Sequence, residues 1–386
     1  MTAIIGWAHS QFGKLEDMQL EDLIARVAGD AVADAGLELA DIDSIHVGNF
    51  GGFEKQSFPA AFALDAGEGL RFKPATRVEN ACATGSAAMA MGSREIESGR
   101  SRFTLVIGAE KMTVASGADI GDALLNASYR KEEADTPGGF AGVFGQIAQL
   151  YFQRYGDQSV AMAQIAAKNH HNGVENPFAQ LRKDLGFEFC NTVSDKNPYV
   201  AGPIRRTDCS LVSDGAAAIV LCDDETASGF DKAVRIRAQA HVQDYLAMSK
   251  RDIVDFDGCR VAWERAHEMA GTSLDDLSLV ETHDCFTIAE LIEYEAMGLT
   301  PKGKGAMAIA EGWTAKDGRL PVNPSGGLKS KGHPIGATGV SMHIMASMQL
   351  LGEAGGMQID GAELAGIFNM GGAAVANYVS ILERLK

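Results

Sequence analysis

A cysteine followed by small residues is the first feature of this chain that could do chemistry. Cys82 lies within residues 78–89, VENACATGSAAM, and the residues after it are small and compatible with a helix. Amide groups at a helix N-terminus carry partial positive charge, which favours a thiolate and lowers the pKa of the thiol. The sequence therefore predicts Cys82 as a nucleophile with room beside it for an acyl group. For Cys82 taken alone, a buried cysteine that packs a helix is the commoner case.

A glycine-rich segment carries a histidine that could act on such a thiol. Residues 323–339 read NPSGGLKSKGHPIGATG, and glycines at this density let the backbone approach a ligand closely. His333 precedes Pro334 and a predicted helix, and a histidine in that place can activate a thiol by taking its proton. An ordinary glycine-rich loop is the alternative for this segment alone.

Two further segments place polar groups or free amides at predicted strand ends. Residues 281–291 read ETHDCFTIAEL, with a strand ending at His283 and a helix beginning three residues later. At the carboxyl end of a parallel strand, His283 could donate to a carbonyl oxygen and Cys285 could shuttle a proton. Residues 366–373, GIFNMGGA, form an apolar strand and a glycine turn whose amides can build an oxyanion hole. A capping Asp284 beside a buried cysteine, and a plain β-turn, are the alternatives.

An internal duplication relates the elements that position these residues. Residues 35–48 match residues 270–283 without a gap, and each copy follows a helical pattern and ends in a β-branched run. The triplet Ala-Thr-Gly at 83–85 and again at 337–339 opens a small-residue helix that leads to an apolar strand. Two such β-α-β-α units imply two similar halves with mostly parallel strands. Pseudo-symmetry would then bring the His333 turn to face the Cys82 turn; chance similarity is the alternative.

About 100 residues of different character interrupt the first half before it resumes with a strand at 213–221. They contain one clear helical pattern at 141–168 and several glycine, asparagine and proline turns. We interpret them as an insertion of the lid or substrate-binding kind that covers the site. The predicted division is an N-terminal half at 1–115 plus 203–228, an insertion at 116–202, and a C-terminal half at 229–386.

Composition limits the classes of function. A net charge of −17 over 386 residues argues against a nucleic-acid partner. No uncharged apolar stretch reaches the roughly 18 residues of a membrane span, and the start lacks the pattern of a signal peptide, so we expect a cytoplasmic protein without membrane association. The six cysteines include no CxxC pair or zinc-finger spacing, and we expect neither disulfides nor a metal site.

The four motif segments, taken together and in this order, resemble the thiolase family over nearly the whole chain. His-Asp-Cys-Phe at 283–286 resembles the sterol-carrier-protein type and its archaeal and bacterial relatives, many of them acetyl-CoA acetyltransferases. Most thiolases have an Asn-Glu-Ala block at that place. The resemblance implies an α/β fold of two duplicated βαβαβαββ halves, in a five-layered α-β-α-β-α arrangement with a loop-domain insertion.

The resemblance also implies a role for each motif. Cys82 takes the acyl group as a thioester, and His333 activates Cys82. His333 and His283 support an oxyanion hole for the thioester oxygen of the second acyl-CoA. The amides of Cys82 and Gly371 form the other hole, for the oxygen of the acyl-enzyme. Coenzyme A is a substrate, and the reaction requires neither a cofactor nor a metal.

One position departs from the family pattern. The usual fourth motif is Cys-x-Gly, whose cysteine removes the α-proton in synthesis, but this chain has Asn369 there. Asparagine cannot act as a base, so Cys285 is the motif cysteine left for this step. A catalytically impaired subunit that binds acyl-CoA or a partner protein is the alternative function. A thiolase-fold lyase is a second rival, although such relatives tend to lack the nucleophilic cysteine.

The remaining expectations concern partners of the chain. The anionic end of coenzyme A is expected to meet Lys250 and Arg251, with Ser325 and Gly326 as further contacts. The resemblance also implies a homodimer or tetramer. Archaeal relatives work beside a small acyl-CoA-associated protein, and such a partner is possible here.

Overall fold

The computed structural model describes residues 1–385, in which strands and helices alternate along most of the chain. The strands are β1 (Thr2–His9), β2 (Ser44–Gly48), β3 (Ala75–Val78), β4 (Thr104–Lys111), β5 (Tyr199–Ala201), β6 (Ile204–Arg205), β7 (Asp214–Asp223), β8 (Val234–Gln243), β9 (Leu279–Glu281), β10 (Leu364–Gly371) and β11 (Ala376–Arg384). The α-helices are α1 (Leu20–Asp34), α2 (Thr84–Glu97), α3 (Gly117–Leu124), α4 (Arg130–Glu133), α5 (Gly139–Tyr155), α6 (Ser159–Asn172), α7 (Gly186–Asn191), α8 (Asp224–Ala227), α9 (Asp257–Ala270), α10 (Thr287–Ala296), α11 (Gly305–Ala310), α12 (Gly327–Lys331) and α13 (Ile335–Leu351).

The strand order is mirrored about the middle of the main sheet. Nine strands run in the order β3-β2-β4-β7-β1-β8-β11-β10-β9, while β5 and β6 form a separate ribbon. β1 and β8 join the two halves by antiparallel pairing of Thr2–Ile4 with Val234–Ile236. The duplicated segments occupy equivalent places, because α1 leads through a short 3₁₀ helix to β2, and α9 leads through another to β9.

The helices complete a five-layered arrangement. Helix α1 packs on β1, β4 and β7, whereas α9 packs on β8 and β11. Between the two halves of the sheet, α2 and α13 pack against each other and against strands on both sides. The predicted α-β-α-β-α order is therefore confirmed. Helix α13 is buried on almost every side, as a helix of the central layer must be. Within residues 1–385, no helix is long and apolar enough to cross a membrane.

The expectation of mostly parallel strands is wrong. Three neighbouring pairs of the main sheet are parallel, namely β2–β3, β2–β4 and β9–β10, and the other five are antiparallel. The reason is the way each half closes. β11 follows β10 after a tight turn, and β7 returns to β4 after the long insertion, so neither strand is delivered by a crossover helix.

The single helix expected at 141–168 is also wrong, because two helices cover this span. Helix α5 ends at Tyr155 and α6 begins at Ser159. Gly156 between them adopts a φ of +88°, a left-handed conformation that suits glycine and ends the first helix. Apolar residues continue with helical spacing on both sides of this break, which hides it from a periodicity argument.

Candidate active site

A tight turn between β3 and α2 presents Cys82. Ala81 adopts a φ of +49°, which costs a non-glycine residue about 1–3 kcal/mol and marks a conformation held by its surroundings. The Thr84 hydroxyl oxygen accepts the Asn80 amide hydrogen at 2.8 Å and closes the turn. The Cys82 thiol accepts hydrogen bonds from its own amide and from that of Gly372, so its sulfur faces the turn after β10.

The expected lowering of the Cys82 pKa is not found. Burial raises the pKa of this thiol to about 12, and the charges of Glu110 and Glu79 act in the same direction. The two amide hydrogen bonds lower the pKa but do not offset the loss of solvent. Cys82 is therefore a neutral thiol in the resting protein, and a base must take its proton as it attacks.

His333 lies in the turn that leads into α13 and has a fixed orientation. Its amide donates to Ser213 Oγ at 3.0 Å, and its Nδ1 lies 2.7 Å from Thr338 Oγ1. The Thr338 hydroxyl donates to the Pro334 carbonyl at 3.1 Å, so its oxygen accepts from Nδ1–H of His333. The proton of the neutral ring is thus on Nδ1, and Nε2 has a free lone pair. Burial, with a smaller effect of the Lys331 charge, lowers the pKa of His333 to about 3.

The two Ala-Thr-Gly turns meet where α2 and α13 cross. The glycines make this close approach possible, because a Cβ on Gly85 would lie 2.7 Å from the amide nitrogen of Gly339. The ligand-type side-chain atoms of Cys82, His283 and His333 all lie within 4.8 Å of one another. The structure therefore places the Cys82 turn against the His333 turn, as the duplication predicts, and adds His283 to the same group. Nε2 of His333 has no other hydrogen-bond partner within the described residues.

The His-Asp-Cys-Phe segment connects β9 to α10. β9 ends at Glu281, two residues before the predicted end at His283, and α10 begins at Thr287. The His283 ring meets the His333 ring edge to face, with centroids 5.1 Å apart. Burial lowers the pKa of His283 well below its ordinary value, so this ring is also neutral.

Asp284 anchors this segment instead of capping α10. Its carboxylate accepts the amide hydrogens of Leu328 and Lys329 at 2.6 and 3.1 Å, at the start of α12. The Asn169 side chain from α6 donates to the same carboxylate at 2.8 Å. Asp284 therefore links the insertion, the glycine-rich segment and the loop that holds His283 and Cys285.

One cavity joins the chemical groups to solvent. It has a volume of about 270 Å³, and Cys82, Cys285 and His333 contribute to its wall. The rest of the wall is mostly apolar and includes Met112, Leu124, Phe140, Val200, Leu211 and Val212. Burial raises the pKa of Cys285 well above its ordinary value, and the nearby Cys82 acts in the same direction. Both motif cysteines are thus neutral thiols in one apolar cavity.

The glycine turn after β10 contacts Cys82 through the amide of Gly372. Gly371 ends β10 and pairs with Ala376 across the hairpin, whereas it is the amide of Gly372 that hydrogen-bonds the Cys82 thiol. Gly372 adopts a φ of +62° in the turn that follows the strand. The Gly372 amide, and not that of Gly371, is therefore the one placed against the Cys82 sulfur.

The four residues expected to contact coenzyme A do not line this cavity. Ser325 is buried and donates to Glu281 at 2.6 Å, and Gly326 packs against the backbone of Gly173. Lys250 lies over the ring of Tyr245, while Arg251 is largely buried nearby. Ser325 and Gly326 are thus buried residues that hold the glycine-rich segment against Glu281 and Gly173.

Three residues near the site have no counterpart among the sequence predictions. Glu110, at the end of β4, accepts the amide hydrogens of Phe50, Gly51 and Gly336 at 2.9–3.0 Å. It thereby ties the loop after β2 to the start of α13, and burial raises its pKa to about 7. Cys209 and Arg206 line the cavity, and the Arg206 side chain is exposed at its mouth. Of these three residues, only Glu110 could have been recognised from the sequence, because it is a charged residue at the end of an apolar strand.

Comparison with known proteins covers both halves of the chain. Residues 2–186 match the family described as thiolase, N-terminal domain, and residues 239–384 match the family described as thiolase C-terminal domain-like. An acetyl-CoA acetyltransferase of Methanothermobacter thermautotrophicus is 37% identical over 99% of each chain. Sterol carrier protein 2 of Oryctolagus cuniculus is 34% identical over 96% of this chain and 70% of its own.

A solved structure shares the fold. It is described as the Ltp2-ChsH2(DUF35) aldolase and superposes with a TM-score of 0.83 at 19% identity, covering 99% of this chain and 97% of the other. At this identity the likeness concerns the arrangement of strands and helices alone.

Proposed function

Because the chain belongs to the thiolase family, we propose that it is an acyltransferase that makes or cleaves 3-ketoacyl-CoA through a thioester on Cys82. The observation that carries this proposal is the grouping of the Cys82 thiol with two neutral histidines, their ligand-type atoms within 4.8 Å, beside an apolar cavity. With its proton on Nδ1, His333 can act as a base through Nε2. The amides of Cys82 and Gly372 can donate hydrogen bonds to the acyl-enzyme oxygen.

In the first half-reaction the Cys82 sulfur forms a bond to the acyl carbon as its proton passes to Nε2 of His333. Proton transfer and attack must be concerted, because burial favours the neutral form of both partners. The bond from the acyl carbon to coenzyme A then breaks. The departing thiolate takes the proton of Cys285, which leaves Cys285 as a thiolate.

In the second half-reaction the Cys285 thiolate removes an α-proton from acetyl-CoA or another short acyl-CoA. The carbanion forms the new carbon–carbon bond at the acyl carbon, the bond to Cys82 breaks, and His333 returns its proton to the Cys82 sulfur. His333 and His283 stabilise the thioester oxygen of the enolate during this step. No proton or electron is left over. Free coenzyme A is released as a product of synthesis and is a substrate in thiolysis, which is the reverse path.

The insertion assigned to residues 116–202 is proposed to cover this site. Leu124, Phe140 and Val200 come from that span and form part of the cavity wall. We assign the anionic part of coenzyme A to the mouth of the cavity at Arg206, which is the cationic residue of the wall, instead of Lys250 and Arg251. The N-terminal half at 1–115 plus 203–228 and the C-terminal half at 229–386 then each contribute one of the two facing turns.

A catalytically impaired subunit that binds acyl-CoA or a partner protein is the second candidate. Asn369 in place of the family's usual base favours it, and the structural neighbour is described as a complex with a second protein. The presence of Cys82, His333 and Cys285 around one cavity opposes it. The same observation opposes a lyase that dispenses with the nucleophile.

Two measurements distinguish the active acyltransferase from the impaired subunit. Incubation with acetyl-CoA followed by digestion and mass spectrometry is expected to find an acetyl group on Cys82, and its absence would sink the mechanism. Cys285→Ser is expected to keep this label and to lose about 10²–10⁴-fold in acetoacetyl-CoA thiolysis, the usual range for a general acid–base group. Cys209→Ser, which alters another thiol of the same cavity, is the matched control and keeps both activities. Full thiolysis by Cys285→Ser would refute the assigned base.

We also propose a homodimer as the basic assembly. β3 is an edge strand of the nine-stranded sheet, and Thr76 and Arg77 on it are exposed. Such an edge offers unpaired backbone groups to a second strand. Light scattering with size-exclusion chromatography measures the mass, and a monomer would contradict the proposal. A tetramer, a small protein partner and a cytoplasmic location stay predictions.

A further inference from the structure

Asn369, the residue in place of the family's usual cysteine, makes two hydrogen bonds at the centre of the site. It lies near the end of β10 and is fully buried. Its Nδ2 is 3.1 Å from the Cys82 carbonyl oxygen and 2.9 Å from Nδ1 of His283. One amide group therefore contacts both the nucleophile's backbone and the second histidine.

The Cys82 carbonyl decides which way the Asn369 amide points. A carbonyl oxygen only accepts hydrogen bonds, so the atom facing it must be the NH₂ group. The same NH₂ group faces Nδ1 of His283, which must then accept as well. A neutral imidazole has one N–H, and with Nδ1 as acceptor the proton of His283 is on Nε2.

The two histidines consequently have opposite tautomers. His333 has its proton on Nδ1 and a lone pair on Nε2, because Thr338 Oγ1 accepts from Nδ1. His283 has the reverse, and Nε2 of each ring lacks a protein hydrogen-bond partner within the described part of the chain. One ring thus has a free acceptor and the other a free donor, and one nitrogen of each ring lies within 4.8 Å of the Cys82 sulfur.

We propose that Asn369 is a positioning residue that holds His283 as the Nε2–H tautomer, so that His283 donates to the substrate thioester oxygen while His333 takes the thiol proton. This rests on the proposed function for its catalytic meaning, although the tautomer itself is a property of the resting protein.

The tautomers can be measured by NMR in the full-length protein labelled with ¹⁵N-histidine, using the couplings between ring nitrogens and carbon-bound protons. His283→Gln identifies the His283 signals among the nine histidines. Wild-type protein is expected to show the proton of His283 on Nε2. Asn369→Asp is nearly isosteric and replaces the donor by an acceptor, so it is expected to move that proton to Nδ1.

The matched control is Asn197→Ala, since Asn197 is another buried asparagine that donates to backbone carbonyls, but within the insertion. It is expected to leave the His283 tautomer unchanged. A wild-type proton on Nδ1 would overturn the proposal without any variant. An unchanged tautomer in Asn369→Asp, or an equal shift in Asn197→Ala, would overturn it as well.

Kinetics separates this proposal from the general mechanism. Asn369→Asp is expected to lower kcat of acetoacetyl-CoA thiolysis by about 10²–10³-fold, the cost of losing one oxyanion donor, with little change in KM. Acetylation of Cys82 should persist in this variant because His333 is intact. Wild-type protein that cannot be acetylated would refute the proposed function while leaving the tautomer result to stand. A rise in KM with unchanged kcat would refute the positioning role.

Discussion

At the scale of single residues, His333 combines a low pKa with a fixed tautomer. Burial lowers its pKa to about 3, so the neutral form that accepts a proton is present above that pH. The rate of Cys82 acetylation by acetyl-CoA is therefore expected to change less than about twofold between about pH 4.5 and pH 6, a range above the pKa of His333 and below that of Glu110, which is about 7. Rapid-quench measurement of single-turnover acetylation checks this.

The control for that experiment is the variant His333→Asn, which gives the rate of Cys82 acetylation in the absence of the base. A rise of about tenfold or more across that range, as a base with the ordinary histidine pKa of about 6.5 would give, would contradict the expected profile. The same result would also remove the reason for concerted proton transfer.

The residue types of the site could be predicted from sequence, but their electrostatics could not. Cys82, His283, Cys285 and His333 follow from motifs and meet in the structure. The raised pKa of Cys82 depends on complete burial, which arises from packing of both halves. The contact of the Gly372 amide with the Cys82 sulfur depends on the backbone dihedral angles of the glycine turn.

At the scale of elements, the crossing of α2 and α13 sets the distance between the two chemical turns. Gly85→Ala would place a Cβ 2.7 Å from the Gly339 and Val340 amide nitrogens. Because backbone cannot move aside as a flexible side chain can, we expect a loss of about 1–3 kcal/mol in unfolding free energy. Urea denaturation followed by circular dichroism measures this quantity, and acetylation of Cys82 should slow in the same variant.

Gly121→Ala is the matched control for that substitution. Gly121 lies in α3, where an added Cβ meets nothing within 4 Å. A helix gains about 0.5–1 kcal/mol when alanine replaces glycine, so this control is expected to be neutral or stabilising. Equal stability of Gly85→Ala and wild type would show that the helices can separate without cost.

The helices and strands that belong to the internal duplication could be predicted from the sequence. The match of residues 35–48 with 270–283 correctly indicates equivalent helix–strand units, because both copies bury the same stripe of residues. Strand direction was not predictable, since it depends on how β7 and β11 return and not on their apolar patterns. The break at Gly156 was missed because helical spacing continues beyond it.

At the scale of the whole molecule, a net charge of −17 opposes an anionic substrate. Arg206 at the mouth of the cavity places a positive charge where such a substrate would enter. Arg206→Glu is expected to raise KM for acetyl-CoA about tenfold, or roughly 1.4 kcal/mol, with kcat little changed. Initial-rate measurements at low and physiological ionic strength check the size of the effect and its decrease with salt.

Arg100→Glu makes the same change of charge far from the cavity. Arg100 is exposed beyond the C-terminal end of α2, about 20 Å along the helix from the turn that holds Cys82. At that distance salt screens the interaction, and KM should match wild type. An equal rise in KM for both variants would assign the effect to net charge and not to Arg206.

The pairing of β1 with β7 and β8 has a consequence for how the chain acquires its fold during synthesis. β1 is made first, yet its partners begin at Asp214 and Val234. At about 5–20 residues per second, a ribosome needs roughly 10–40 s to deliver them. During that interval the mostly apolar strand β1 lacks its neighbours in the sheet, and the early packing of α1 on β1 is the protection from aggregation that the fold itself supplies.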